Sequence, residues 1–473
     1  MRRAAALACF AVLLAPVPAS PQETAYDAGG WRADAAQVRE AFTSRYANLE
    51  WAQTVREAEL GRVFDAADKR LAGFTSDAQA RDLFDGLAKY LADGHVRFDW
   101  PAPPAPAPAA SGTSPAKPAS PCASLSPRRV RVGETVAASL PGYQPLTTTG
   151  SAVFPAGLLT IDGRRVGVIR IAEFGPGIAP QYCEEAVAAG ITEGLYDVVH
   201  GRMTGDFADQ LRALKAAGAD ALMVDLTGNG GGSDWAEALV RMVSGKRLVS
   251  TRLDVVRGAH WTATFDRDIA RLETELKTAK GPDRVLLKDL LDQVKARRAE
   301  TAAACDASPM LRGETPACTI LTRGFYSGGL LASADRAALE GKPWAGFVFN
   351  AMYYPYEEGV WSGPLLVAVD NRTASAAEQF TAVLQDNAAA VVVGDPTAGA
   401  GCGYTWGGTP VTLNHSRGVL RLPDCARIRA NGENEVVGIS PDVLTGFHVG
   451  DGPKARAQRL AAVLPAALAR AGR

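Results

Sequence analysis

Three short apolar runs, ALMVDL at 221–226, PLLVAVD at 364–370 and AAVVVGD at 389–395, limit what this chain can fold into. Each has the length of a strand and no alternation of polar with apolar side chains, so each demands cover on both faces. Helical patterning fills the spaces around them: in FADQLRALKAAG, Phe207, Leu211 and Leu214 share a face and Gly218 supplies a stop. LLTIDG and VGVIRIAEF add two more strands ahead of that helix. Strands separated by helices imply an α/β core with largely parallel pairing.

Upstream of the core the pattern changes. Val38, Phe42, Tyr46 and Leu49, then Leu83, Leu87 and Leu91, recur at three and four residues and predict an N-terminal helical domain over 26–100, closed by LADGHVRF. The stretch PAPPAPAPAASGTSPAKPASP then carries no periodicity that can form a core, and 101–127 reads as an extended Pro/Ala-rich linker. The core is expected over 128–465, interrupted by a charge-rich helical insertion at about 257–318 in which Ile269, Leu272 and Leu276 form one stripe. That insertion reads as a solvated helical hairpin, with a lid or dimer arm as the other reading.

Residues 1–20, MRRAAALACFAVLLAPVPAS, combine a basic start, an apolar run and small residues, the pattern of a secretory signal peptide. A periplasmic or secreted protein is expected, with no membrane insertion after the signal is removed. Discarding Cys9 leaves six of the seven cysteines, an even number suited to disulfides in an oxidising compartment. The expected pairs are Cys402–Cys425, which flank an apparent β-hairpin, Cys305–Cys318 across a short loop, and by remainder Cys122–Cys183. Without CxxC or HxxxH spacing, no metal and no cofactor is expected. A formal charge of −1 and a pI near 6.6 give no footprint for nucleic acid or an anionic membrane surface.

The chemistry concentrates in NRTASAAEQF, 371–380, between two of the apolar runs. Ser375 with Glu378 three residues on is a capping box, which closes a helix start without catalysis. A strand turning sharply into a helix also presents the serine hydroxyl and the N–H of Ala376 at the positive end of a helix dipole, where an oxyanion is stabilised. The loop GNGGG at 228–232 follows ALMVDL and lacks the Lys-Ser/Thr ending of a phosphate loop, since it continues into GGSDW. It is either a plain tight turn or the source of a second oxyanion donor.

VDLTGNGGG, PLLVAVDNRTASAAEQF, VVVGDPTAGAG and GISPD stand in the order and near the spacing of the C-terminal processing (tail-specific) serine peptidases, a resemblance covering about 163–447. It implies a ClpP/crotonase-like core of ββα units, with Ser375 as nucleophile and the N–H groups of Ala376 and Gly231 as the oxyanion hole. Many members activate the serine with a lysine in the turn TFGKG; here the turn is TAGAG and Ala400 stands at the lysine position. Alanine accepts no proton, so either the enzyme is dead or another base has taken over.

A Ser-His-Glu branch of the family, resembling the tricorn core protease and the chlamydial secreted protease, supplies one. His95 in LADGHVRF matches its upstream L-x-DGH segment, and Glu435, three residues before Gly438 of GISPD, matches its acid, with Glu433 as an alternative in another register. His200, His260, His415 and His448 lack such a context. Asp386, on the helix that Ser375 launches, resembles a family position that helps order the site and is equally a helix-end residue. The interval after the linker is too short for the PDZ-like module most members carry. The resemblance therefore implies an exported serine endopeptidase acting on peptides or unfolded proteins, with homo-oligomers left open. A non-catalytic ligand carrier of the same fold and an esterase-type acyl hydrolase are the competing readings.

Overall fold

The computed structural model describes residues 25–102, 120–125, 135–405 and 408–472. The expected signal peptide and most of the Pro/Ala linker lie outside the described residues.

A seven-stranded sheet forms the centre, in the order Val443–Leu444, Val391–Gly394, Leu365–Val369, Ala221–Asp225, Arg164–Arg170, Ala156–Ile161 and Gln144–Leu146. The first five pair in parallel and the last two add as antiparallel strands. The uninterrupted apolar runs follow from this placement. Leu222, Val224, Val367, Val369 and Val392 join the cluster on one face, and Met223, Leu366, Ala368, Val391 and Val393 join the cluster on the other. Helix Leu195–Ala216 covers the first face with Val199, Met203, Phe207, Leu211 and Leu214, beside Phe380 and Val383 of helix Ala376–Asp386. Leu460, Leu464 and Leu468 of the C-terminal helix Pro453–Ala471 cover the second. The molecule is a mixed α/β protein.

Helices Ala28–Arg45, Leu49–Thr54, Leu60–Leu71 and Asp77–Leu91 form the N-terminal region around Val38, Phe42 and Tyr46. Their cluster also takes in Leu413, Leu420, Leu422 and Val436 from the C-terminal half, so this region does not stand apart. Strand Arg97–Asp99 pairs antiparallel with Val419–Arg421, and the buried Asp34 accepts from the N–H groups of His415 (2.9 Å) and Ser416 (2.9 Å). The strand pairing holds the segment containing His95 against the core, and Asp34 holds helix Ala28–Arg45 to the same hairpin.

A second, antiparallel sheet joins Cys425–Ile428, Arg252–Val256 and Leu321–Tyr326. From it springs the insertion, helices Ala259–Leu276 and Gly281–Ala302, packed together through Leu272, Leu287, Leu290 and Val294 and rooted in the core by Trp261 and Phe265. The disulfides are Cys122–Cys183, Cys305–Cys318 and Cys402–Cys425, two pairs expected from spacing and the first expected by remainder. Among the described residues no helix is long and apolar enough to cross a membrane.

Candidate active site

Strand Leu365–Val369 runs into a turn whose side chains fasten it to the glycine loop. Asp370 accepts from Gly228 N–H at 2.8 Å, Thr373 donates to the Leu226 carbonyl at 3.0 Å, and Ala374 N–H donates to the Asn229 carbonyl at 2.9 Å. Ser375 closes the turn at φ 55° and ψ −116°, a conformation that costs a non-glycine residue roughly 1–3 kcal/mol and persists where surroundings enforce it. The enforcement comes from Glu378. Its fully buried carboxylate accepts from Ser375 N–H (2.7 Å) and, from the TAGAG turn, Thr397 Oγ1 (2.6 Å), Gly399 N–H (2.7 Å) and Ala400 N–H (2.9 Å). The capping glutamate thus joins the serine turn to the TAGAG turn. Among the described residues the N–H of Ala376 has no hydrogen-bond partner, which leaves it available to a ligand.

Gly231 lies against the serine: at φ +101°, a Cβ there would meet Ser375 Cβ at 2.7 Å and Ala376 N at 2.9 Å, so no side chain fits. Its N–H, however, donates to Asn229 Oδ1 at 2.8 Å. The next residue, Gly232, has an N–H without a partner among the described residues and lines the same cleft as Ser375 and Ala376. The spent donor at Gly231 and the free one at Gly232 differ by one residue from the expected assignment. Sequence spacing cannot resolve this, because it depends on where the Asn229 side chain turns.

His95 follows helix Asp77–Leu91 and sits against the TAGAG turn. Its Nδ1 is 2.7 Å from the carbonyl oxygen of Ala400. A carbonyl only accepts, so Nδ1 carries the proton and Nε2 keeps its lone pair, the tautomer a general base needs. The main chain is pinned as well. Asp93 accepts from His95 N–H (3.0 Å), Tyr46 Oη (3.0 Å) and Asn48 Nδ2 (2.9 Å), and Tyr404 Oη donates to the His95 carbonyl. Burial holds the imidazole below its ordinary pKa of 6.5, opposed by the Asp93 charge and the Ala400 carbonyl. His95 also feels Arg427 and Glu378, and both of these groups bond the main chain of Ser375. The hydroxyl of Ser375 makes no hydrogen bond to His95 in this structure.

Glu435 is fully buried and none of its hydrogen bonds reaches His95. Its Oε1 accepts from Arg427 Nε at 2.7 Å and from Arg427 Nη2, while Oε2 is buried without a partner. Burial, offset by Arg427, pushes this carboxyl up to about 7. Arg427 in turn donates through Nη2 to the carbonyls of Ser375 (2.8 Å) and Gly401 (2.6 Å), and through Nη1 to Gln379 Oε1 (3.2 Å). The expected Glu–His bond is therefore replaced by two links, the Ala400 carbonyl on the imidazole and Arg427 on the glutamate. Glu433 is exposed and bonds Asn431. Asp386 accepts from Arg429 Nε at 2.9 Å and from Ala430 N–H at 3.1 Å, which fastens the loop leading to Glu435.

Arg427 and Asp93 escaped the sequence reading. Asp93 stands in the same DGH triplet that marks His95, a usable signal. Arg427 sits in a four-residue strand, CARI, and nothing in that run distinguishes it from a surface arginine. Among the described residues no group of three His, Cys, Asp or Glu side chains is placed to hold a metal ion.

A family model, Peptidase family S41, matches residues 165–445. No curated protein sequence matches the chain. Among solved structures, mature CPAF superposes with a TM-score of 0.58 at 15% identity, over 94% of this chain and 98% of that one. Mature CPAF complexed with lactacystin gives 0.59 at 14% identity, over 94% and 99%. A putative peptidase from Parabacteroides merdae ATCC 43184 gives 0.48 at 12% identity, over 93% and 97%.

Proposed function

The chain belongs to peptidase family S41 and is a serine-type peptidase acting on peptide or protein substrates; from that premise we propose that it is an exported endopeptidase with Ser375 as nucleophile and His95 as general base. The observation that carries the reading is the bond from His95 to the Ala400 carbonyl, in the turn that Glu378 ties to the Ser375 N–H. The turn that supplies a lysine in many relatives here orients an imidazole instead.

In this reading Nε2 of His95 takes the proton from Ser375 Oγ as the oxygen adds to the peptide carbonyl. The oxyanion is received by the N–H groups of Ala376 and Gly232, with Gly231 giving the close approach that a side chain would block. The imidazolium then gives its proton to the departing amine, and the same group activates the water that cleaves the acyl-enzyme. Glu435 completes the set indirectly. It neutralises Arg427, whose guanidinium holds the Ser375 and Gly401 carbonyls. Asp386 steadies the loop behind it.

Three disulfides support a periplasmic or secreted location. Hydrolysis of casein and of short acyl esters by the purified chain tests the reading. Casein cleavage that disappears in Ser375→Ala is expected. Ester hydrolysis without casein cleavage would make it an acyl hydrolase, and neither activity would leave the carrier reading.

A further inference from the structure

Gly232, Ser375 and Ala376 open on a cleft of about 470 Å³ that extends to the helical insertion. Much of its wall is aromatic: Trp261 and Phe265 from helix Ala259–Leu276, with Phe325, Phe347 and Tyr353. Set among these rings is Asp268, half-buried and without a hydrogen bond or ion pair to any described residue. The arginines flanking it are occupied elsewhere. Arg267 donates to Thr264 Oγ1 at 3.0 Å, and Arg271 stacks on the Phe347 ring at 4.4 Å.

The charges of the lining do not balance. Asp234 adds a second carboxylate, held by Tyr354 Oη at 3.3 Å. The cation among the described lining residues is Arg427, already matched by Glu435. An aromatic cleft without Asp268 would suit a phenylalanine or leucine. A carboxylate inside it that makes no hydrogen bond penalises such a guest, since the acid must lose water and gains nothing in return. A guanidinium or ammonium is the guest that satisfies both features, pairing with the carboxylate and lying over the rings. Burial has pushed Asp268 up to about 6, although the charges of Arg267 and Arg271 offset it in part.

We propose that this cleft receives a lysine or arginine side chain of the substrate, belonging to the residue whose carbonyl Ser375 attacks, with Asp268 as the counter-charge. The position follows from Gly232 and Ala376. Their free N–H groups and the cleft adjoin, so the carbonyl they receive is one bond from the side chain that enters. The inference rests on the assignment of Ser375 as nucleophile.

Binding of a matched peptide series to the inactive Ser375→Ala chain tests it without requiring turnover. The peptides differ at one position, Lys, Arg, Phe or Glu, and are read by fluorescence anisotropy beside their hydrolysis by wild type. Lys and Arg peptides should bind at least tenfold tighter than Phe and Glu peptides. The ratio should collapse in Ser375→Ala/Asp268→Asn, and Asp268→Lys should reverse it toward Glu. Equal affinities, tighter binding of Phe, or selectivity that survives both Asp268 substitutions would overturn the proposal. Selective binding with no hydrolysis of any peptide would instead sink the peptidase assignment, and hydrolysis with no preference for Lys or Arg would sink the pocket alone.

Discussion

The imidazole of His95 donates through Nδ1 to the carbonyl oxygen of Ala400 at 2.7 Å, joining the end of the N-terminal helices to the TAGAG turn. The alanine side chain takes no part in this bond. It is buried, and a Cβ placed on Gly94 would lie 3.6 Å from its own. Ala400→Lys should therefore add volume and a charge against His95 without supplying a base. The expected result is a loss of about 1–3 kcal/mol in thermal unfolding and no gain in peptide hydrolysis. A rise in activity would mean that the site is a lysine site with its lysine missing.

The pH profile carries a second prediction. A base acts only when neutral, and burial keeps His95 below 6.5, so the acid limb of kcat/KM should have its midpoint below 6.5 and the rate should rise with pH through it. The Asp93 charge works the other way and raises the imidazole. Asp93→Asn should thus move the midpoint further down, whereas a purely structural role for Asp93 would lower the rate at all pH values alike.

Glu435 and Arg427 form a buried pair, with side chains 0% and 5% exposed. Glu435→Ala leaves the guanidinium without its counter-charge and should cost about 3–5 kcal/mol by urea unfolding. Glu435→Gln, which still offers an oxygen to Arg427, should cost less. Because burial lifts this carboxyl from 4.5 to about 7, the folded chain holds the proton more tightly than the unfolded one. Its contribution to stability should fall as pH rises between those values, and Glu435→Gln should flatten that slope.

How much of this was legible beforehand depended on the range of the interactions. The parallel core could be read because ALMVDL and PLLVAVD are covered on both faces, which leaves a continuous apolar run in each. Ser375 and His95 were marked by local motifs, TASAAE and DGH. The pairing of Cys402 with Cys425 followed from the short hairpin between them. What the residues did not disclose were bonds set by side-chain direction: Asn229 on the Gly231 N–H, Arg427 on Glu435, and a main-chain carbonyl on His95. A backbone acceptor leaves no trace in residue type, so the acid matched by motif was the natural partner to expect for the imidazole.

The disulfide Cys402–Cys425 binds the turn after Ala400 to the strand bearing Arg427. Its loss removes a constraint typically worth about 2–4 kcal/mol and loosens the turn whose Gly401 carbonyl Arg427 holds. Cys402→Ser/Cys425→Ser should therefore lose activity at temperatures where circular dichroism still reports a folded chain. Cys305→Ser/Cys318→Ser, at the end of the insertion, should retain activity for as long as the fold persists.

The most direct measurement is covalent labelling with a fluorophosphonate, mapped by mass spectrometry in the wild-type chain and in His95→Ala. The account predicts a single adduct on Ser375 in the first and a labelling rate at least about a hundredfold slower in the second. Equal labelling of Ser375 in both chains would remove His95 as the base, and an adduct on any other residue would remove Ser375 as the nucleophile.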